Sequence, residues 1–191
     1  MRRVMIIGQP GAGKSTLARD LGRITGLPVV HIDLIHWQPG WVERSPAEKT
    51  RLCLEVHARD AWIFEGGHSA TWADRLARAD TVIWLDLGLA RRLWRVLRRR
   101  IAFRGGATRP DLPPDCPERL DPGFLRFIWR TRRSARARIR RLLATAPPGK
   151  AVHHLKGPRA ARRFLESLAR DCSPVSPVPR TAVGRTETDR G

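Results

Sequence analysis

The 191-residue chain has three cysteines, four lysines and no apolar run approaching the length of a membrane span. Each scarcity excludes something. Cys53, Cys116 and Cys172 are odd in number and far apart, so they make neither a disulfide framework nor a zinc spacing, and a reducing cytoplasm is the expected compartment. Without ~20 consecutive apolar residues, no helix is expected to cross a bilayer. The basic start runs into a strand-like segment with no small-residue cleavage site, so no signal peptide is read there. Acidic residues are scarce in one stretch. Across 87–145 there are 17 arginines and no lysine against four acids, net +13 of the chain's +19, whereas 1–86 holds 11 basic and 10 acidic residues. A field of one sign gathered in one segment attracts polyanions, either nucleotide phosphates or a nucleic-acid backbone. A general preference for arginine accounts for the same numbers equally well, so the charge alone speaks to association and not to fold.

What is present is clearest in the first twenty residues. Val4 to Ile7 is a short apolar run that reads as a buried strand. Gly8-Gln9-Pro10-Gly11-Ala12-Gly13-Lys14-Ser15 then fits GxxxxGK[ST], and Leu17, Ala18 and Leu21 continue at helical spacing. Strand, glycine loop and helix in that order are the setting of a phosphate-binding P-loop. Glycines let backbone N–H groups approach phosphate oxygens with no Cβ in the way, and the helix start adds unpaired N–H groups. The segment from Gly8 through Thr16 is expected to cradle a nucleoside triphosphate. Lys14 would reach its β- and γ-phosphates, and the Ser15 hydroxyl would hold Mg²⁺.

Further along, strand-like runs at 29–32, 61–64, 81–85 and 151–155 alternate with helical stretches. The helices are expected after the P-loop, from Pro46 to about Arg59 with Ser45 as N-cap, at 72–77, from Leu89 to Ile101, at 124–143 and at 159–169. Residues 104–122, rich in Gly and Pro, lose all periodicity, and 173–191 is too poor in apolar residues for a core and reads as a disordered tail. Five strands alternating with helices predict one α/β domain over 1–172, a parallel sheet covered on both faces. Ligands of such sheets sit at the carboxyl ends of the strands. Those ends are Gly8, Asp33, Glu65, Asp86 and the turn at 156–158, so three of five carry an acid.

The segments GQPGAGKST, HIDLIHWQPGW, WIFEGGHS and TRPDLPPDCPERLD together resemble the adenylate kinase-like and shikimate/gluconate kinase-like small P-loop kinases. Within that group the chain is most similar to a bacterial family labelled DNA topology modulation protein FlaR-like. The resemblance covers roughly residues 1–170. It implies a three-layer P-loop NTPase sandwich with strand order 2-3-1-4-5 and a lid insertion at about 104–122. It also implies phosphoryl transfer from Mg-ATP to a small acceptor bearing a hydroxyl or phosphate, of nucleoside, nucleotide or sugar-acid type.

By the same resemblance Glu65 stands where the group keeps the acid that positions Mg²⁺ through water. Asp33 stands where a carboxylate meets the acceptor hydroxyl, a role chemically suited to taking its proton. Gly66 and Gly67 match the glycines on the acceptor side. From the lid, Arg109 and Arg119, with Arg104 in reserve, would close over the triphosphate and neutralise charge on the transferred group. Arg132 and Arg136 lie i, i+4 on one helix face and so could meet one anion. Trp37 and Trp41 either wall the acceptor pocket by stacking or pack in the core. His31 and His36 flank Asp33, but no further ligand nearby completes a histidine metal site. Asp86 reads as a cap for the helix that follows it. A rival reading takes the 87–145 arginines as a nucleic-acid contact of an NTPase or regulator of DNA topology, although no recognition module is legible. No motif speaks to oligomeric state.

Overall fold

The computed structural model describes residues 1–103, 109–117 and 121–172, so Arg104, Arg119 and the 173–191 tail lie outside the described residues. In chain order the elements are β1 (Arg3–Gly8), α1 (Lys14–Thr25), β2 (Val29–His31), α2 (Ile32–His36), β3 (Trp37–Gln38), β4 (Val42–Glu43), α3 (Pro46–His57), β5 (Trp62–Glu65), α4 (Trp72–Arg78), β6 (Thr81–Leu85), α5 (Leu89–Ala102), α6 (Pro122–Arg130), α7 (Arg132–Ala144), β7 (Ala151–Leu155) and α8 (Pro158–Cys172).

Val4, Met5 and Ile6 are fully buried and Ile7 nearly so, a strand with no solvent face. Such a strand belongs in the middle of a parallel sheet covered on both sides, and β1 lies there. The sheet runs β2-β5-β1-β6-β7, every neighbouring pair parallel. Counting only the strands of this sheet, the order is the expected 2-3-1-4-5. The two-residue alternation of each strand feeds two cores. Val4, Ile6, Ile63, Ile83 and Leu85 meet Leu17 and Leu21 of α1 and Phe164 and Leu165 of α8. Met5, Ile7, Phe64, Val82 and Trp84 meet Val56 of α3, Leu76 of α4 and Ile139 of α7. Each such aliphatic side chain contributes about 1.5–3 kcal/mol when fully buried. The result is the three-layer α/β sandwich, and it sets the ends of β1, β2 and β5 side by side.

The structure differs from the sequence reading in three places. β2 stops at His31, and Ile32–His36 turns into a short helix that brings Asp33 into its first turn. Pro39–Trp41 then closes a small antiparallel hairpin, with Trp37 opposite Glu43 and Gln38 opposite Val42, whose two-residue strands are too short to leave a period. The single helix expected over 124–143 is broken at Thr131. There φ −88° and ψ 0° leave the helical region, and the Thr131 hydroxyl donates to Phe127 O at 2.7 Å, competing with the helical ladder. Ser45 caps α3 as expected, its hydroxyl accepting the Glu48 N–H at 3.2 Å. Among the described residues, no helix is long and apolar enough to cross a membrane.

Candidate active site

A cleft of about 1120 Å³ opens over the carboxyl end of β1. Gly8, Gln9, Pro10, Gly11, Gly13, Lys14, Ser15 and Thr16 line it. Ala12 does not; its side chain is buried beneath the loop with Leu17 and Leu21, so only its backbone is available to a ligand. Gly13 sits at φ 91°, and a Cβ there would run into the Arg95 guanidinium. The carbonyls of the loop are taken up from outside it. Arg95 Nη1 donates to Ala12 O at 2.8 Å and Arg92 Nη1 to Pro10 O at 3.3 Å, while the Gln9 amide donates to Arg132 O at 2.8 Å. With those carbonyls occupied, the loop offers an anion its N–H groups. Lys14 Nζ lies 3.4 Å from Gln9 O, a loose bond that leaves the ammonium in the cleft.

Register places the acids. Parallel pairing sets His31 of β2 against Glu65 of β5, and Ile6 of β1 on the other side of Glu65. The Ser15 hydroxyl donates to Glu65 Oε1 at 3.0 Å, and His31 Nδ1 meets the same oxygen at 2.9 Å. Glu65 is only 2% exposed, so the two contacts fix its carboxylate at the end of the P-loop helix. His31 is therefore a partner of Glu65, not a metal ligand of its own, and His36 turns away to Glu43 at 3.3 Å. Gly66 follows at φ 106°, where a Cβ would strike Ile32.

Asp33 lies on the cleft wall with its side chain 40% exposed. The surrounding protein raises its carboxyl above the ordinary value by desolvation first and by the charge of Glu65 second, with Arg109 and Lys14 pulling the other way. Arg109 Nη2 is 3.7 Å from Asp33 and Nη1 is 3.5 Å from Asp111. Asp111 is nearly buried and also faces Arg19 at 3.3 Å. Burial alone would raise its carboxyl, but Arg109 and the Ser15 hydroxyl hold it below the usual value. The sequence reading missed Asp111, although it stands two residues from Arg109. Cys116, a motif position with no partner base to make it catalytic, is fully buried: its Sγ accepts the Trp41 N–H at 3.3 Å, tying the 109–117 segment to the β3–β4 hairpin.

Behind the cleft lies a buried polar chain that no sequence pattern announces. Arg75 is fully buried; Nη1 donates to Gly66 O at 2.9 Å and Nε to His57 Nε2 at 3.1 Å. His57 Nδ1 in turn meets Asp74 at 2.7 Å, and the Arg75 guanidinium lies 3.8 Å over the Phe64 ring. Burial lowers Arg75 to about 10 and, despite Asp74, holds His57 down to about 4. The chain anchors the carbonyl of the residue that follows Glu65.

Other expectations are corrected. Asp86 does not cap α5, which starts from Gly88 with no side-chain cap. Its carboxylate holds Arg136 at 2.7 and 3.0 Å and His154 at 3.0 Å. Arg136 is thereby neutralised, while Arg132 bends back to Trp129 O at 2.7 Å and covers the Trp129 ring. Their shared helix face does not make a shared anion site, because each guanidinium is drawn to a nearer acceptor. Neither is among the described residues lining the cleft; Arg138 of the same helix is. Trp37, Gly66 and Gly67 do line it, as does Trp41. Among the described residues no cluster of three His, Cys, Asp or Glu is set to hold a metal by itself. The Ser15 hydroxyl with the Glu65 carboxyl, and the Asp111 and Asp33 carboxyls on the same cleft, are oxygen donors that suit Mg²⁺ shared with phosphates and water.

No family model matches the chain. Over 140 residues, 65% of this chain and 72% of the relative, it is 28% identical to a cytidylate kinase of Pyrobaculum aerophilum. The structure of shikimate kinase from Acinetobacter baumannii in complex with shikimate matches with a TM-score of 0.53 at 19% identity, covering 89% of this chain and 92% of that one. Shikimate kinase from Bacteroides thetaiotaomicron matches at 0.50 and 16%, covering 88% and 97%. With its parallel sheet, P-loop and acid-lined cleft, the chain has the fold of the P-loop kinases.

Proposed function

We propose that the protein transfers the γ-phosphoryl group of Mg-ATP to a small acceptor bearing a hydroxyl or phosphate. One observation carries the reading: the P-loop serine is bonded to Glu65 at 3.0 Å while Asp33, with a raised carboxyl, stands on the wall of the same cleft. The loop N–H groups and Lys14 hold the triphosphate. A groove of about 480 Å³ beside it, between Arg91, Trp94 and Pro158, shares Trp94 and Arg95 with the cleft and receives the nucleobase. Ser15 and Glu65 would hold Mg²⁺, which would offset charge on the phosphates. Asp33 accepts the proton of the acceptor oxygen as that oxygen bonds to the γ-phosphorus and the bond to the β-phosphate oxygen breaks. Arg109 keeps Asp33 in place, and with Arg119 it neutralises charge on the group in transit. Membership of the FlaR-like family is part of the same proposal, on Asp33 to Trp41 and the segment from Arg109. A reducing cytoplasm suits the free Cys53 and Cys116.

The test is ADP release from Mg-ATP against nucleosides, nucleotides and sugar acids, with Asp33→Asn as control. Stimulation by one acceptor class, lost in that variant, is the expected result; undiminished turnover in Lys14→Ala overturns the reading. A second reading, nucleic-acid contact through 87–145, draws on the exposed Trp94, Phe127 and Trp129 among the arginines. A gel shift that weakens steeply with salt supports it, and none at physiological salt removes it.

A further inference from the structure

The hairpin beside Asp33 carries a backbone anomaly. Trp41 has φ 64°, directly after Gly40 at φ 74°. Glycine takes that region freely, whereas a bulky residue there is strained and persists only where its surroundings hold it. Among the contacts that hold Trp41, its N–H donates to buried Cys116 Sγ at 3.3 Å, and its ring meets Trp37 edge to face, centroids 5.2 Å apart. Both indoles are half-buried and line the cleft, and Trp72, packed 3.8 Å from where a Gly67 Cβ would stand, lines it too. Of the four indoles that line the cleft with Asp33, these three come from the segments following β2 and β5, whereas Trp94 stands on α5 beside the smaller groove. Backbone strain concentrated at functional clamps has a use when the side chain it aims is needed.

The charges on this wall point to the kind of molecule it receives. Asp33 and Asp111 face Arg19 and Arg109, and both guanidiniums already lie within 3.7 Å of Asp33 or Asp111, while Glu65 is held by Ser15 and His31. The other cations of the cleft, Lys14, Arg95, Arg98, Arg99 and Arg138, stand on the P-loop, α5 and α7 and not on the hairpin or the 109–117 segment. A phosphate or carboxylate on the acceptor would approach Asp33 and Asp111 with their guanidiniums already paired, and like charge brought close is a source of rejection. A neutral ring meets no such penalty and gains an aromatic wall.

Resting on the kinase reading above, we infer that the acceptor is a neutral, hydroxyl-bearing molecule with a planar aromatic ring, a nucleoside-type compound, whose ring lies against Trp37, Trp41 and Trp72. Trp41 is the specificity-determining residue. The acceptor's hydroxyl end faces Asp33, and the proton and phosphoryl move as already described.

The experiment compares kcat/KM for nucleosides, nucleoside monophosphates and gluconate in the full chain and in Trp41→Gly and Trp41→Phe, with thermal melting and KM for ATP measured alongside. Nucleosides are expected to be preferred. Trp41→Gly should raise the acceptor KM at least tenfold with KM for ATP unchanged, and should melt close to the parent because glycine fits φ 64°. Trp41→Phe should recover most of the loss. Preference for monophosphates overturns the neutral acceptor, and preference for gluconate overturns the ring. A Trp41→Gly chain that melts early with its acceptor KM intact makes Trp41 a packing residue and overturns its role. Nucleoside quenching of tryptophan fluorescence, read without ATP turnover, separates the two proposals: quenching that is lost in Trp41→Gly, without transfer to any acceptor, keeps the ring site and removes the kinase, and quenching that persists in Trp41→Gly overturns the ring site.

Discussion

The two halves of the cleft are built by different means. The donor half is one contiguous loop, Gly8 to Thr16, that works through its backbone; its side-chain support comes from Arg92 and Arg95, which occupy carbonyls. The acceptor half is assembled from side chains on separate segments: Asp33 after β2, Trp41 in a hairpin, Glu65 at the end of β5, and Arg109 and Asp111 from the 109–117 stretch. A backbone site takes its ligand-facing groups from local sequence and needs distant residues only as supports. A side-chain site needs the whole sheet in register, since it is the pairing of His31 with Glu65 that brings β2 and β5 chemistry together.

That contrast can be broken from either side. The largest effect is expected from Lys14→Ala, which should lower ATP turnover about 10³-fold for every acceptor while the circular-dichroism melt stays that of the parent. Arg75→Leu attacks the acceptor half from behind. It leaves Gly66 O and His57 without their buried partner and should cost about 3 kcal/mol in urea unfolding. In chain that still folds, the acceptor KM should rise and the KM for ATP should not; equal change in both would erase the distinction between the halves.

His57 sharpens the same point through pH. Its folded value of about 4 lies below the usual 6.5, so the unfolded chain binds more protons between them. Stability from this group is complete above pH 6.5 and is lost as pH falls toward 4, amounting to roughly 3 kcal/mol. His57→Gln should flatten the unfolding free energy across that window. Arg109→Ala should slow turnover roughly tenfold to a hundredfold. Because Arg109 holds the raised Asp33 carboxyl down, the acid limb of kcat/KM should also move to higher pH in this variant. Ser45→Ala, remote from both halves, should cost about 1 kcal/mol and leave all kinetic constants alone.

The same contrast explains what could be read from the sequence. The P-loop and the five strands were legible because each is local: a glycine pattern between a strand and a helix, and short apolar-rich runs, fully buried in β5 and β6 and more exposed at the edge strand β7. Asp33 and Glu65 were legible as strand-end acids. Asp111, Cys116 and the chain from Asp74 through His57 to Arg75 were not, because their meaning lies in contacts between segments far apart. Arginines were the hardest case. Arg75, Arg92 and Arg95 are bound in the interior or on the loop, whereas Arg132 and Arg136, picked for their helix spacing, are spent on Trp129 and Asp86. Spacing shows which residues share a helix face; it carries nothing about which acceptor each will reach first.

The carbonyl ties of the donor loop also bear on how the chain is made. Ala12 waits for Arg95, 83 residues later, and the Gln9 amide waits for the carbonyl of Arg132, 123 residues later. Its strand needs β5 on one side and β6 on the other before it is covered. During synthesis the most recognisable motif therefore emerges well before the segments that complete it, and such long-range closure is the slow part of folding. Nucleotide binding by a growing chain should begin only after α7 has left the ribosome, which makes ATP capture a timer for completion of the fold.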